Sequence, residues 1–507
     1  MSTTHVSDRI QSLFDDRGIV RTREAEAEGI PRHYLVDLVE QGELVRIGRG
    51  LYRHPDHQVT AHHSLAVAAK RVPKGTVCLL SALQFHDLTT QNPLDVWLAI
   101  GHKDREPTVD AVSLRIVRMS GKARTEGIEE HEIEGVSVPI YEPAKTVADC
   151  FKYRSRVGLD VALEALRDFH EEGGSYGCSL AVRRSLPRAE RHSTVYGGRH
   201  VMSRSSVVDS VRDRLLSRKQ ETGENYEALL IRYALERLLY RLGQSDLREQ
   251  FVLKGAYAFL TWQGNLHRPT RDLDLLGYGP PEQLEKVFRQ LSRIDDVPED
   301  GVRFDPDSVE AQPIRDADEY GGMRVRLDAT LGSAELRLQV DVGFGDAVVP
   351  APENTSFPPL LDFPAPEVRA YSRSPVVAEK LHGLVTLGIA NSRMKDFYDL
   401  WYLSREFSFE GLTLADAIQA TFDRRETTLP ASQPQALTDT FAGDDRKQRQ
   451  WAAFLDRTQL ESDDTDLVAV IDLLNRFLWP PLNASRRGRQ FRRRWTPGGP
   501  WADSASS

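Results

Sequence analysis

The chain has only three cysteines in 507 residues. Cys78, Cys150 and Cys178 are odd in number and far apart, so they make no disulfide framework and no zinc pattern, and a reducing, cytoplasmic compartment is expected. No apolar run approaches the ~20 residues that cross a bilayer, so no membrane partner is expected. The stretch from Met1 to Asp16 lacks a basic region followed by an apolar core, and no signal peptide is expected. Short internal repeats are missing too. Positive charge is not in excess. The net charge of −9 excludes a protein that coats nucleic acid indiscriminately, and leaves that role to local basic surfaces.

With 40% hydrophobic and 28% charged residues, the chain reads as a globular protein of several α/β (α+β) domains. Residues 1–58 have the pattern of a winged helix-turn-helix. Val6 to Asp16 is helical in spacing, with Ile10, Leu13 and Phe14 on one face. Thr22 caps a short helix through Ala27, and Gly29 suits the turn that follows. Pro31 opens a helix that turns Tyr34, Leu35, Leu38 and Val39 inward. Leu44 to Tyr52 then reads as a two-stranded wing with glycines at its turn. A helix laid in the major groove presents the side chains near its N-terminus, here Arg32 and His33. Arg46, Arg49 and Arg53 would face phosphates, which fix position rather than sequence. Operator DNA is the partner this implies; the same scaffold also serves protein contacts alone.

Residues 59–172 alternate apolar and polar stretches. Val77–His86, Val147–Phe151 and Val161–Phe169 read as helices, and Val96–Ile100 and Ser113–Val117 as strands. No catalytic signature appears. His62, His63 and His86 lack spaced carboxylate or cysteine partners and read as packed or surface residues. The pattern over 18–53, with Leu80-Ser81-Ala82-Leu83 and Pro143-Ala144-Lys145-Thr146-Val147-Ala148-Asp149 in that order, resembles the AbiEi family of type IV antitoxins over roughly residues 8–170. Residues 173–204, punctuated by Gly173-Gly174, Pro187 and Gly197-Gly198, read as a linker. A long helical region begins at Val208, its apolar face running from Tyr226 to Leu239.

The chemistry lies in residues 205–483. Phe251 to Leu260 reads as an apolar strand, a Gly255-Ala256 turn and a helix. A second strand then opens on Asp272-Leu273-Asp274. Alternation along a strand projects Asp272 and Asp274 together while Leu273 and Leu275 pack inward. Close carboxylates repel unless a cation neutralises them, and magnesium, a hard ion, suits oxygen ligands and phosphate. Asp341, between Val340 and Val342 on a neighbouring strand, supplies a third acid. Small residues at Gly255-Ala256 let backbone amides approach phosphates. Lys380 shares a helical stripe with Val377, Leu384 and Leu387, so it reads either as a snorkelling lysine or as an ammonium aimed at triphosphate oxygens. Asp396 and Asp399 share one face of the next helix, and Asp396 is favoured as the functional acid, to hold Lys380 or Arg393 or to act as a base. The basic tail, 484–507, interleaves Arg492, Arg493 and Arg494 with Phe491 and Trp495, and reads as solvated surface or as a contact to RNA.

Lys254-Gly255-Ala256, Thr270-Arg271-Asp272-Leu273-Asp274, Glu379-Lys380-Leu381-His382 and Arg393-Met394-Lys395-Asp396-Phe397-Tyr398-Asp399-Leu400 resemble, in order, the motifs of the AbiEii toxin family, which includes the MenT-type toxins. The resemblance implies a DNA polymerase β-like nucleotidyltransferase fold that uses an NTP and magnesium. For some members it implies transfer of nucleotides to the tRNA 3′ end, which blocks aminoacylation and translation. By the same resemblance Asp272 and Asp274 hold metal, Lys380 meets the nucleotide and Asp396 completes the site; Asp341 is expected as a further metal ligand, and Lys254, Gly255, Ala256 and Arg271 as further nucleotide contacts. Ala256 departs from the Gly or Ser usual there, which removes any hydroxyl contact but not the backbone one. A fused toxin–antitoxin is expected, its N-terminal half restraining the transferase through an intramolecular contact or binding DNA, in a phage-defence setting. The alternatives are a nucleotide-sensing regulator with an inactive transferase domain, and a transferase acting on a protein or small molecule.

Overall fold

The computed structural model describes residues 10, 13–14, 17–55, 57–107, 112–171, 201–314, 322–460 and 465–503. Most of the expected helix Val6–Asp16, most of the expected linker and Cys178 lie outside these residues.

In the first segment, β1 (Ile19–Arg21), α1 (Thr22–Ala27), α2 (Arg32–Glu40), β2 (Val45–Gly48) and β3 (Leu51–Arg53) make the winged helix. The strands pair antiparallel in the order β1-β3-β2. Val20, Ala25, Ile30, Leu35, Leu44 and Tyr52 close a small core against the helices. Arg32, His33, Arg46 and Arg49 stand exposed. Arg53 corrects the sequence reading: it is only 7% exposed, and its guanidinium donates to the carbonyls of His54 and Pro55. β3 is the central strand of its sheet and is covered on both sides, so alternation does not bring Arg53 to the surface.

The next segment contains α3 (His63–Arg71), β4 (Thr76–Val77), α4 (Leu79–Phe85), β5 (Val96–Gly101), β6 (Leu114–Met119), β7 (Ile128–Ile133), β8 (Val136–Tyr141), α5 (Pro143–Lys152) and α6 (Leu159–Glu171). Its sheet runs β6-β5-β4-β8-β7. Leu98 and Ile100 of β5 pack towards α3, while Trp97 and Ala99 pack towards α4, α5 and α6. A strand covered on both faces reads as the unbroken apolar run Val96–Ile100.

α7 (Val201–Thr222) starts inside the expected linker, and the single helical region expected from Val208 is two helices. Gly223, at φ +74°, turns the chain, and the Asn225 side chain caps α8 (Tyr226–Gly243) by accepting from the amides of Glu227 and Ala228. The C-terminal half continues with β9 (Phe251–Lys254), α9 (Gly255–Gln263), β10 (Leu273–Gly277), β11 (Val302–Phe304), β12 (Glu310–Ile314), β13 (Gly322–Leu331), β14 (Ala334–Phe344), β15 (Glu353–Ser356) and β16 (Glu367–Ala370). Among the described residues these strands form one mixed sheet, ordered β11-β13-β14-β10-β9-β16-β15 with β12 paired to β13. Leu253, Leu273, Leu275, Val340 and Val342 face α8 on one side. Val252 and Leu276 face the other side, towards α10 (Arg373–Leu387) and α11 (Met394–Glu406). β17 (Phe409–Glu410), α12 (Gly411–Arg424), α13 (Asp445–Thr458) and α14 (Leu467–Arg486) enlarge that second layer.

The basic C-terminal segment is no free tail. β18 (Arg493–Trp495) pairs with β17 and with β19 (Trp501–Asp503). Trp495 is fully buried, donates its Nε1–H to the Ser404 carbonyl at 2.6 Å, and lies with its ring centroid 5.0 Å from that of Phe477. Arg492, Arg493 and Arg494 remain exposed on this strand segment.

The two halves pack together. Val59 and Ala61 enter the core of the C-terminal half, and Arg212 donates to the Val59 carbonyl at 2.8 Å. Asn225 donates to the Pro93 carbonyl at 3.1 Å, Arg457 pairs with Asp160 at 2.8 Å, and Arg115 pairs with Asp456 at 2.6 Å.

The buried anchor of the C-terminal segment is testable. Trp495→Ala should cost the C-terminal half about 3–5 kcal/mol, as expected for emptying a large buried aromatic site. In urea denaturation this would appear as a lower midpoint; an unchanged midpoint would mean that the segment packs only loosely.

Candidate active site

The register of the central sheet decides which side chains meet. Asp274 on β10 is paired with Lys254 on antiparallel β9 and with Asp341 on parallel β14. Asp341 is in turn paired with Arg324 on β13. Lys254, Asp274, Asp341 and Arg324 therefore form one row across four strands, on the face towards α10 and α11. Asp272, two residues before Asp274, projects to the same face, and its Oδ1 accepts from the Thr270 hydroxyl at 2.9 Å.

Ligand oxygens of Asp272, Asp274 and Asp341 all lie within 4.8 Å of one another. This crowding raises the proton affinity of Asp274. Burial and then the charges of Asp272 and Asp341 push its carboxyl up to about 7. Burial also raises Asp341, although Arg324 opposes this by gripping it with Nε and Nη2, each at 3.0 Å. Three hard oxygen donors that repel one another suit a divalent cation such as magnesium, which relieves the repulsion.

Gly255 makes the geometry possible. It starts α9 at φ +65°, and a Cβ there would fall on the Asp274 carboxylate. The same residue leaves the first amides of α9 close to the carboxylates, in the place where a helix N-terminus accepts phosphate oxygens. Ala256, the departure noted in the sequence, turns its methyl into the core and is only 2% exposed.

Opposite the row stand the side chains of α10 and α11. Lys380 bridges Asp396 at 2.6 Å and Asp399 at 2.8 Å, and both carboxylates raise its affinity for a proton against the opposing effect of burial. Asp396 is 9% exposed and held below its ordinary value by Lys380, despite burial. Asp399, ranked second from sequence, is completely buried and gathers three cationic or polar groups. His267 Nε2 and Arg268 Nε both lie 2.6 Å from its Oδ1, and Arg268 Nη2 lies 3.0 Å from its Oδ2. Burial would raise its pKa, but Arg268, Lys380 and His267 together hold it well below the usual range. Asp399 thus ties the loop before β10 to α11, and the His267 ring is stacked on Phe259 of α9 at 3.7 Å.

Lys254 is paired with Asp346 at 2.8 Å and Glu379 at 3.4 Å. Arg271 is 7% exposed and reaches Asp87 of the N-terminal half at 2.7 Å. Lys395 adds positive charge that opposes the raised pKa values of Asp274 and Asp341. Of the expected residues, the structure sets Lys254, Asp274 and Asp341 side by side in register, with Asp272 beside them and Gly255 against Asp274, while Lys380 and Asp396 pair with each other between α10 and α11. It leaves Arg32, His33, Arg46 and Arg49 on the winged helix and Arg492–Arg494 on the C-terminal strand. Arg324, Arg268, His267, Asp346 and Glu379 were not singled out from the sequence. Of these, Arg268 and Glu379 stood inside or beside the motifs, whereas Arg324 is found only through strand register. The three histidines near the N-terminal half's core are engaged elsewhere: His63 with Glu134 at 2.7 Å, His62 with Glu227 at 3.4 Å, and His86 with the Tyr141 carbonyl at 2.8 Å.

Residues 237–476 match the family model described as nucleotidyl transferase AbiEii toxin, type IV TA system. Residues 8–55 match that of the transcriptional regulator, AbiEi antitoxin. Among solved structures the chain is similar to JHP933 from Helicobacter pylori, at 14% identity and a TM-score of 0.31 over 52% of this chain and 96% of that one. It is also similar to a putative nucleotidyltransferase from H. pylori, at 15% identity and a TM-score of 0.30 with the same coverage. No curated protein matches the chain.

Two measurements follow from this geometry. Because Asp274 titrates at about 7, a proton competes with the cation below that pH. Magnesium affinity measured by calorimetry should be about tenfold weaker at pH 6 than at pH 8, with proton release on binding at the lower pH. Equal affinities would count against ionisation of Asp274 as the controlling step. Gly255→Ala should weaken magnesium binding by at least about tenfold and lower the melting temperature, since the new Cβ must displace the Asp274 carboxylate or the start of α9. Wild-type affinity in that variant would show that the turn tolerates a side chain.

Proposed function

We propose that this chain, in which an AbiEi-type regulator segment is joined to an AbiEii-type nucleotidyl transferase, is a toxin–antitoxin fusion. Its catalytic half transfers a nucleotide from an NTP to an RNA acceptor, with the tRNA 3′ end as the first candidate. The consequence is a block of translation, in a cytoplasmic phage-defence setting. The observation that carries the reading is the cluster of Asp272, Asp274 and Asp341, with Asp274 and Asp341 in register with Lys254 and Arg324 on the sheet face towards α10 and α11, the helices that carry the Lys380–Asp396 pair.

In this reading Asp272, Asp274 and Asp341 hold magnesium, and the bound ion neutralises triphosphate charge and polarises the reacting phosphoryl group. The first amides of α9, at Gly255 and Ala256, receive phosphate oxygens. Lys380 supplies an ammonium to the triphosphate and Lys254 a second positive charge behind the triad. Asp396, paired with Lys380 at 2.6 Å, holds that ammonium in position. His267, Arg268 and Asp399 hold this pair in place. Arg271 serves the nucleotide or the acceptor, and the exposed Arg492, Arg493 and Arg494 meet the RNA backbone away from the cleft.

The winged helix, residues 1–58, offers Arg32 and His33 to base edges and Arg46 and Arg49 to phosphates of operator DNA. Arg53, buried, has no part in this. The segment 59–172 is the body of the antitoxin-like half, and its packing against residues 205–483 supports restraint of the transferase in cis. Of the C-terminal segment, residues 484–503 pack with the same half.

The direct test gives the intact chain, and the fragment 201–507, magnesium, total tRNA and each labelled NTP in turn. Label should enter RNA from one preferred nucleotide and fall at least about a hundredfold in Asp274→Ala. Label in a protein or small molecule would move the acceptor to that class. Absence of both label and NTP binding would replace the transferase with a regulator.

A further inference from the structure

We propose that the N-terminal half excludes the RNA acceptor, rather than the NTP, by putting its own carboxylates on the two arginines that flank the triad. Arg271 and Arg324 are then the acceptor-backbone surface of the catalytic half. This rests on the transferase reading above.

The direction of the ion pairs carries the inference. Arg271 immediately precedes Asp272, and its Nη2 lies 2.7 Å from Oδ1 of Asp87 in the N-terminal half. Arg324 grips Asp341 with Nε and Nη2, and its third nitrogen lies 3.3 Å from Oδ1 of Asp168, also in the N-terminal half. At both positions beside the triad a cation of the catalytic half takes an anion from its partner half, beside an acid of its own half: Glu227 at 3.8 Å from Arg271 and Asp341 at 3.0 Å from Arg324. Farther away the polarity is mixed, with Asp160 on Arg457 but Arg115 on Asp456. The cations placed for the NTP are satisfied differently: Lys254 by Asp346 and Glu379, and Lys380 by Asp396 and Asp399, all within the catalytic half.

A guanidinium offers parallel N–H donors that suit a carboxylate and a phosphodiester equally well. An arginine beside a metal triad, held by an acid from another domain, is therefore in place to exchange that acid for a backbone phosphate. The docked half also covers the approach. Asn92 and Leu94 line a cavity of about 250 Å³ together with Arg268, Pro269 and Thr270, and Asn92 donates to the Thr270 carbonyl at 3.1 Å. The Thr270 hydroxyl in turn donates to Asp272. Asn92 thus sits on the loop that leads into Asp272, and Asp87 on the arginine just before it.

The test uses the full chain and two readings: anisotropy of a fluorescein-labelled single-stranded RNA, and binding of an NTP with magnesium. In Asp87→Asn/Asp168→Asn the RNA affinity should rise at least tenfold at fixed salt, while NTP affinity stays within twofold. Because Asp168 is buried, Asp87→Asn alone is the variant to use if the double one does not fold, and a threefold rise or more is expected. Adding Arg271→Gln to Asp87→Asn should abolish that gain. Glu126→Gln/Glu132→Gln, an equal change of charge on the exposed face, should leave RNA affinity as in wild type. An equal gain there, or no gain at Asp87 and Asp168 while the NTP still binds, overturns the exclusion and leaves the transferase standing. A gain at Asp87 and Asp168 in a chain that binds no NTP upholds the surface and overturns the transferase.

Discussion

Strand register is the constraint on which the rest of the catalytic half depends. Placing Lys254, Asp274, Asp341 and Arg324 at one level across β9, β10, β14 and β13 puts two carboxylates side by side and brackets them with cations. Neighbouring strands lie about 4.8 Å apart, so the inner pair repel strongly wherever water is scarce. The flanking charges reduce that cost, and a bound cation would remove much of it. A slip of one residue on β10 would turn Asp274 into the apolar layer under α8 and bring a leucine to the cleft. The apolar alternation of β10 and β14 that specifies the core thus also specifies the site.

Asp399 does for the second layer what register does for the first. A fully buried carboxylate is costly unless its charge is answered, and here His267, Arg268 and Lys380 answer it together. The loop before β10 and the helices α10 and α11 are thereby fixed relative to one another through one side chain. Lys380 is shared between this buried acid and Asp396, so the position of the ammonium is set from below.

The sequence was most legible where chemistry is local. The Gly255-Ala256 turn, the Asp272-x-Asp274 pair and the strand aspartate Asp341 were visible because a few adjacent residues carry each signal. What escaped depends on tertiary context. Arg324 becomes a site residue only through pairing of β13 with β14, which no spacing announces. Asp399 ranks below Asp396 in the sequence because helical spacing does not say which face of α11 is covered. Arg53 reads as exposed because the spacing shows only the two strands of the wing, whereas β1 pairs with the other side of β3. The C-terminal arginines suggested solvated chain because composition does not show that Trp495 and Trp501 anchor a small sheet. The split between α7 and α8 turns on Gly223 and the Asn225 cap, two local signals hidden within a longer apolar pattern.

The contact of Asp87 and Asp168 with Arg271 and Arg324 joins residues of a single polypeptide. Separate proteins meeting through such pairs would dissociate as the cell dilutes them, and their balance would follow synthesis and degradation of each. A covalent connection fixes the ratio at one to one and makes the closed fraction independent of abundance, since effective concentration is set by the tether rather than by expression. Release must then come from something that alters the contact itself, such as a competing ligand, a change in ionic strength or a cut in the chain. Changes in copy number would have no such effect, so the fusion trades responsiveness to turnover for responsiveness to occupancy.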